Sequence, residues 1–184
     1  MWKNWPLKVL LALILTACLS GGYGYPSVPT SAYPSSIPDF VADQSSASKY
    51  SDYYTIPASP YQGMHIIEPE EFELKGNTPT TLYYGNQQQA VSYSSYQALP
   101  AAAGNALWIQ GSTSWSQYAV VPQRAFLSLI AISPGGGRGH LQEMKPDGRS
   151  IKYEYQFYPI NRLGFYADRI GRHILFFMVN GIVS

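Results

Sequence analysis

The chain has 184 residues, with 12 lysine and arginine residues against 11 aspartate and glutamate residues, and a single cysteine. A net charge of +1 provides no excess positive charge for a phosphate backbone, so nucleic acid is not an expected partner. One cysteine excludes, within this chain, both a disulfide and a zinc site built from paired thiolates.

The first 22 residues are typical of an export signal. Lys3 and Lys8 both precede an apolar run from Val9 to Ala17. This is the order of a charged n-region and an apolar h-region. A helix of this length spans about 14 Å, well short of the roughly 30 Å of a bilayer core. The sequence therefore predicts a signal peptide at residues 1–22.

The motif Leu-Thr-Ala-Cys at residues 15–18 resembles the lipobox of prokaryotic lipoproteins. The resemblance implies cleavage before Cys18 and attachment of membrane lipid to that residue. An anchor with at least two acyl chains holds a protein stably on a membrane. We therefore expect a lipid-anchored protein at the cell surface or the extracytoplasmic face of the membrane. The alternative is an ordinary signal, cut after Gly21 or Gly22, and a secreted protein.

Residues 19–62 are dominated by serine, tyrosine and proline and show no strand or helix periodicity. Prolines remove backbone donors, and few aliphatic side chains are present to offset the entropy of ordering. We predict a disordered tether with a coil span of about 35 to 40 Å. In an alternative interpretation, its seven tyrosines bind sugars or a neighbouring surface layer.

Residues 63–104 are expected to contain short strands and a flexible stretch rich in Gln, Ser, Tyr and Ala. The first plausible strand, 65–74, contains Pro69, which confines it to a sheet edge or a bend. A group of acidic residues in it favours a solvated edge over a calcium site, because no alternating oxygen-donor loop is present; its members are Glu68, Glu70, Glu71 and Glu73. The compact domain is predicted to begin at Asn105.

Residues 105–184 show recurring β-branched and aromatic runs separated by turn signals. This pattern predicts an all-β, immunoglobulin-like antiparallel β-sandwich. About seven strands are expected, at 106–110, 115–121, 125–132, 138–145, 150–158, 162–167 and 172–179. Tight turns are predicted at 145–148 (KPDG) and at Asn180-Gly181.

Three strands carry informative hydrophobic patterns. Residues 151–157 alternate apolar and polar side chains, which predicts one solvated face. Residues 174–179 (ILFFMV) are apolar throughout, and 127–132 (LSLIAI) nearly so, which predicts strands covered on both faces.

The run 168–173 (DRIGRH) with the following Asn180-Gly181 resembles the D-x-x-G-x-Y entry to the penultimate strand of immunoglobulin-like and PKD-like surface domains. His173 stands where that pattern has tyrosine. Residues 107–122, 128–134 and 164–184 resemble an uncharacterised family of exported surface proteins from methanogenic archaea. That resemblance brings no known activity with it.

The same resemblance implies one more strand after the Asn-Gly turn, where this chain has only Ile182, Val183 and Ser184. We therefore expect the last strand to be missing from this sequence. An unpaired strand edge near 172–184 would then be open to self-association or to a strand donated by a partner.

No catalytic motif is present. His65, His140 and His173 are far apart in sequence and lack the H-E-x-x-H spacing, and no G-x-S-x-G elbow occurs. The glycine run 135–139 lacks the G-K-[ST] ending of a phosphate loop. We expect ordinary surface or strand histidines, no catalytic residue, no cofactor and no metal; a hydrolase would require Glu143, Glu154 and His140 in one cleft.

The aromatic residues Trp108, Trp115 and Tyr118 lie among glutamine and serine. If exposed in one row, they would suit a carbohydrate-binding module, whereas burial in a core is the common outcome. The sequence favours a non-enzymatic envelope protein with a structural or adhesive role, whose partners are membrane lipid at Cys18 and an envelope protein or polysaccharide.

Overall fold

The structure is a computed structural model that describes residues 48–58 and 65–184. The part of the chain that it describes contains eleven strands and one short α-helix. The strands are β1 (Ile66–Glu71), β2 (Thr81–Tyr84), β3 (Gln89–Ser92), β4 (Ala106–Gln110), β5 (Ser114–Ser116), β6 (Phe126–Ile132), β7 (Gly137–Met144), β8 (Ser150–Phe157), β9 (Ile160–Tyr166), β10 (Ile174–Val179) and β11 (Ile182–Val183). The helix α1 is Tyr93–Gln97, and 3-10 turns occupy Ser51–Tyr53 and Pro100–Ala103.

The strands form two sheets, a seven-stranded sheet with the order β1-β9-β6-β4-β5-β2-β3 and a four-stranded sheet with the order β11-β10-β7-β8. All pairs are antiparallel except β2 with β5, which is parallel. The predicted all-β sandwich is confirmed, with eleven described strands in place of the expected seven.

The main core lies between the two sheets. Alternate residues of β6 face it, namely Leu127, Leu129 and Ala131, because successive side chains of a strand point to opposite faces. Phe177 and Val179 of β10 meet them from the four-stranded sheet. Burial of these side chains, at about 25 cal/mol per Å² of apolar surface, holds the sheets together.

A second core covers the opposite face of the seven-stranded sheet. Ile130 of β6 faces it together with Trp108 and Trp115, and Tyr93 and Tyr96 of α1 pack onto the same cluster. The seven-stranded sheet is therefore buried on both sides around β6. This arrangement explains the nearly continuous apolar sequence of that strand, as predicted.

The predicted domain start at Asn105 is wrong, because the segment before it belongs to the seven-stranded sheet. Leu82 of β2 is fully buried in the second core, and the side chain of Ser92 caps α1 by accepting a hydrogen bond from the Ser95 amide at 3.1 Å. The stretch predicted to be flexible thus supplies two strands and the covering helix.

The predicted tether is wrong over the described residues 48–58. Tyr50 and Tyr53 are buried, and the Tyr53 hydroxyl lies 2.7 Å from the Ser114 hydroxyl. Thr55 exchanges two backbone hydrogen bonds with Phe126, of 2.9 and 2.8 Å. Buried aromatic surface offsets the cost of ordering this segment. The signal at 1–22, including Cys18, and the tether up to residue 47 lie outside the described residues.

Strand β10 is not covered on both faces, in contrast to the prediction. Phe177 and Val179 are buried in the main core, but Ile174, on the other face, is 38% exposed. The reason is that the four-stranded sheet has only its inner face within the sandwich. Strand β11 pairs with Met178 and Val179, and the Ser184 amide donates to the Phe177 carbonyl at 2.9 Å.

Several local predictions are confirmed. Strand β1 lies at the edge of its sheet, and its register shifts between Ile67 and Glu70, on either side of Pro69. All four glutamates of this segment are exposed. Asn180 and Gly181 both have positive φ, of 53° and 78°, as a two-residue type I′ turn requires. In the part described, no helix has the length and apolar character needed to cross a membrane.

Candidate metal centre at one end of the sandwich

Four chain segments bring ionisable side chains together at one end of the sandwich. His65 directly precedes β1 and Asp168 follows β9, so both flank strands of the seven-stranded sheet. Glu143 lies on β7 of the four-stranded sheet, and His173 directly precedes β10 of the same sheet. We call His65, Glu143 and His173 the His–Glu cluster.

Glu143 is buried because of its position in the β7 alternation. It shares the inward face with Leu141, and both side chains are 0% exposed. Burying an isolated carboxylate would be very costly, so a buried carboxylate has to be paired or hydrogen-bonded. The partners come from both sheets.

Both histidines contact the same oxygen of Glu143. His65 Nε2 lies 2.7 Å from Glu143 Oε1, and His173 Nδ1 lies 2.8 Å from the same atom. The two imidazole rings pack on Phe165, with ring centroids 4.9 and 5.4 Å from that of the phenyl ring. The buried phenyl ring of β9 therefore fixes the positions of both histidines.

The second ring nitrogen of His173 also faces an acceptor. Its Nε2 donates to the Arg169 carbonyl at 3.1 Å. Because neither the carbonyl nor an ionised carboxylate can donate, His173 needs protons on both nitrogens to make both bonds. The hydrogen bond to Glu143 accordingly raises the pKa of His173 above 6.5, against the opposing effect of burial.

The charge of Glu143 is set by two opposing effects. Burial alone would raise the pKa of this carboxyl, but the hydrogen bonds from His173 and His65 outweigh it and hold the pKa at about 2. Burial first, and then the charge of Glu143, raise the pKa of the Tyr153 hydroxyl to about 12. The cluster therefore contains a buried anion, and His173 makes both of its hydrogen bonds only as an imidazolium cation.

A second carboxylate lies next to the cluster. Asp168 Oδ1 is 3.4 Å from His65 Nδ1, and Asp168 Oδ2 is 3.8 Å from Lys145 Nζ. The first contact has an ion-pair distance but not the alignment of a hydrogen bond. His65 therefore has a carboxylate on each side of its ring.

The His–Glu cluster has a donor set that can bind a metal ion. One atom from each of its three residues can be chosen so that all three lie within 4.8 Å of one another. Imidazole nitrogen and carboxylate oxygen are ligands for zinc and for other first-row divalent cations. Without a metal, the same groups form a buried network of ion pairs that links the two sheets.

Two of the predicted ligand-contact aromatics are core residues. Trp108 and Trp115 are each 1% exposed, and their rings pack edge-on against Tyr96 and Tyr93, respectively. Tyr118 is half-buried and packs against Tyr50. They form no exposed row, so the sugar-binding interpretation of the two tryptophans is wrong.

The arrangement expected for a hydrolase is not formed. His140 and Glu154 are paired across β7 and β8, and both line a shallow depression on the outer face of the four-stranded sheet. Glu143 points to the opposite face, into the sandwich. The three residues therefore share no cleft.

The interpretation of His65 and His173 as ordinary surface or strand histidines is also wrong. One feature of the sequence could have indicated their environment. Glu143 is two residues after Leu141 in β7, so both side chains point to the same, inward face. A glutamate on the inward face of a sandwich strand needs partners. Which residues supply them depends on contacts between positions 78 and 30 residues apart, and no local pattern reports those contacts.

Searches against protein-family models, curated proteins and solved structures find no match to this chain. The resemblance to archaeal surface proteins stays a prediction.

Proposed function

We propose that this protein is an exported, lipid-anchored protein of the cell envelope with a non-enzymatic structural or adhesive role. The observation that carries the proposal is the order of the first 18 residues, in which lysines, an apolar run and the Leu-Thr-Ala-Cys motif end at Cys18. The all-β sandwich behind it is an architecture common in cell-surface proteins.

The attachment is tested with the variant Cys18→Ser, which removes the thiol that would carry the lipid. In a host that processes lipoproteins, the wild type should pellet with membranes after a high-salt wash, and Cys18→Ser should move to the soluble fraction. Ala17→Gly is the matched control, because it keeps a small residue next to the cysteine and should remain in the pellet. Equal pelleting of Cys18→Ser and wild type would refute the anchor.

The mature N-terminus gives a second readout of the same proposal. Mass spectrometry of the wild type should find Cys18 as the first residue, with a mass increase equal to at least two acyl chains. A mature chain that begins after Gly21 or Gly22 would instead identify a secreted protein.

The adhesive role is tested with the soluble Cys18→Ser protein and isolated host envelopes. We expect saturable binding of the folded protein and no saturable binding of a heat-unfolded sample. Protease-treated envelopes distinguish the two proposed partners, since they lose a protein partner but keep a polysaccharide. Absence of saturable binding to intact envelopes would contradict the adhesive role and leave the structural one.

A further inference from the structure

We infer that His65, Glu143 and His173 form a binding site for a first-row divalent cation, with zinc as the best match, which ties the two sheets together at one end of the sandwich. The inference goes beyond the proposed envelope function and does not depend on it.

The first argument is the distribution of unsatisfied polar atoms. Within the described residues, five buried side-chain atoms have no hydrogen-bond partner, and three of them lie here: His65 Nδ1, Glu143 Oε2 and Asp168 Oδ1. Buried polar atoms in folded proteins are nearly always paired, so a group of unpaired ones at one place is where an ion or a water is expected to bind. The Tyr153 hydroxyl also interacts with Glu143 and is the other candidate partner of Oε2. A cation would be bound by the Glu143 carboxylate. The ring nitrogens of His65 and His173 that now face Glu143 would give up their protons and bind the cation as well.

The second argument is the proton on His65. While Nε2 donates to Glu143, a neutral His65 presents the lone pair of Nδ1 to the Asp168 carboxylate, 3.4 Å away. Coordination of a metal through Nε2 would place the proton on Nδ1, where it can be donated to Asp168 after a small rotation. A carboxylate, a histidine and a metal in this order form an arrangement common to zinc proteins.

His173 is also positioned for metal binding, with a backbone carbonyl in place of a carboxylate as the acceptor for its other ring nitrogen. Its Nε2 donates to the Arg169 carbonyl, which leaves Nδ1 as the nitrogen directed at the centre of the cluster. Metal-bound histidines usually donate their other N–H to a carboxylate or to a backbone carbonyl. Each histidine thus has a support of the expected kind on the side away from Glu143.

The present spacing is close to what a metal requires. Ligand atoms about 2.0 to 2.1 Å from a tetrahedral ion are about 3.3 Å apart. The two nitrogen–oxygen distances, 2.7 and 2.8 Å, would therefore widen by about 0.5 Å. The two histidine nitrogens, which lie within 4.8 Å of each other, would have to settle at the same spacing of about 3.3 Å. Rotations of the side chains can supply this change, because His65 and His173 flank their strands and are not central in them.

The ligand types select the cation. Calcium and magnesium prefer oxygen ligands, whereas two imidazoles and one carboxylate suit zinc, copper or nickel. Three protein ligands leave a fourth position for water or for another donor. Because the ligands come from both sheets, binding should oppose their separation and raise the unfolding temperature.

The test is a zinc titration of the full chain by calorimetry at neutral pH after chelator treatment. We expect one zinc per chain, a zinc-dependent increase in unfolding temperature, and no increase with calcium or magnesium. His65→Gln and His173→Gln should each weaken zinc binding by about 100-fold or more, and Asp168→Ala by about 10- to 100-fold. Circular dichroism checks that each variant is folded.

Two variants are matched controls. His140→Gln removes a histidine on the outer face of β7, and Cys18→Ser removes the chain's one thiol; both should keep the affinity of the wild type. Cobalt provides a spectroscopic readout, since a tetrahedral site gives strong visible absorption that His173→Gln should abolish.

The inference is overturned if the wild type does not bind zinc stoichiometrically. This outcome does not depend on whether any variant folds. It is also overturned if His65→Gln and His173→Gln bind zinc as tightly as the wild type, or if His140→Gln or Cys18→Ser loses binding to the same extent.

Discussion

His65 Nε2 and Glu143 Oε1 lie 2.7 Å apart, and this contact joins the seven-stranded sheet to the four-stranded sheet through a buried carboxylate. Elsewhere the sheets meet mainly through apolar side chains of the main core. Removing one partner of a buried ion pair typically costs about 3 to 5 kcal/mol, because the other charge stays buried without compensation. The stability of this end of the sandwich should therefore depend on protonation.

We predict that the metal-free protein is most stable between about pH 4.5 and pH 6.5. Glu143 has a pKa of about 2 in the folded chain against 4.5 ordinarily, so its contribution is complete above pH 4.5 and is lost as the pH falls toward 2. The pKa of His173 is raised above 6.5, so its contribution is complete below pH 6.5 and is lost as the pH rises through the raised value.

The measurement is the urea midpoint as a function of pH, in the presence of a chelator. The Glu143 contribution on the acid side should be on the order of 3 kcal/mol. The His173→Gln variant should lose most of the decline on the alkaline side, whereas His140→Gln should retain it. Other ionisable groups face the same pair, namely His65, Lys145, Tyr153 and Asp168. An alkaline decline that is unchanged in His173→Gln would contradict its assignment to His173.

Six of the seven strands predicted after residue 105 agree with the structure to within about two residues, because their side chains follow simple rules. The seventh, predicted at 115–121, is a strand only at Ser114–Ser116. The predicted bounds of β4 are those of the structure, and the alternation in β8 and the turn signals at 145–148 and 180–181 correctly placed the hairpins. The sequence does not predict β2 and β3, because each is only four residues long and the chain after β2 is rich in Gln, Ser and Ala. They are held by long-range burial, with Leu82 and α1 packed on Trp108 and Trp115.

The site was less predictable than the fold for a related reason. Alternation places Glu143 inward, but it does not reveal that His65 and His173, which directly precede two other strands, contact the same oxygen. His173 occupies the position of a tyrosine in the resembling pattern and donates to a backbone carbonyl four residues upstream. A tyrosine corner also makes a hydrogen bond to the backbone a few residues upstream.

The described segment 48–58 should be a stable part of the fold. Tyr53→Ala removes a buried ring and its hydrogen bond to Ser114, so the segment should detach. We expect hydrogen exchange at the Thr55 amide to become at least about tenfold faster, since a loss of 1.4 kcal/mol already corresponds to a factor of ten. Ser51→Ala, at an exposed position of the same turn, should leave the exchange rate unchanged.

Rapid exchange at Thr55 in the wild type would contradict this prediction directly, because its amide donates to the Phe126 carbonyl at 2.9 Å in the folded protein. Equal effects of Tyr53→Ala and Ser51→Ala would show that the ring of Tyr53 does not hold the segment.

The last prediction concerns the side of β10 that faces β11. In the described residues, β11 and Ser184 pair with Phe177, Met178 and Val179, and no strand pairs with 174–176 on that side. By the alternation of an antiparallel ladder, the amide and carbonyl of Leu175 point to this open side, as those of Phe177 do. An unpaired edge of this kind can pair with the same edge of a second copy of the chain.

We therefore expect concentration-dependent self-association of the soluble Cys18→Ser protein in sedimentation experiments. Ile174→Lys, on the exposed face of this edge, should reduce it, because charged residues on edge strands oppose pairing with another strand. Ile170→Lys is the matched control, since it adds the same charge at a position that is 79% exposed and outside any strand. A wild type that stays monomeric at all concentrations would contradict self-association through this edge, and equal effects of the two lysine variants would attribute any change to net charge alone.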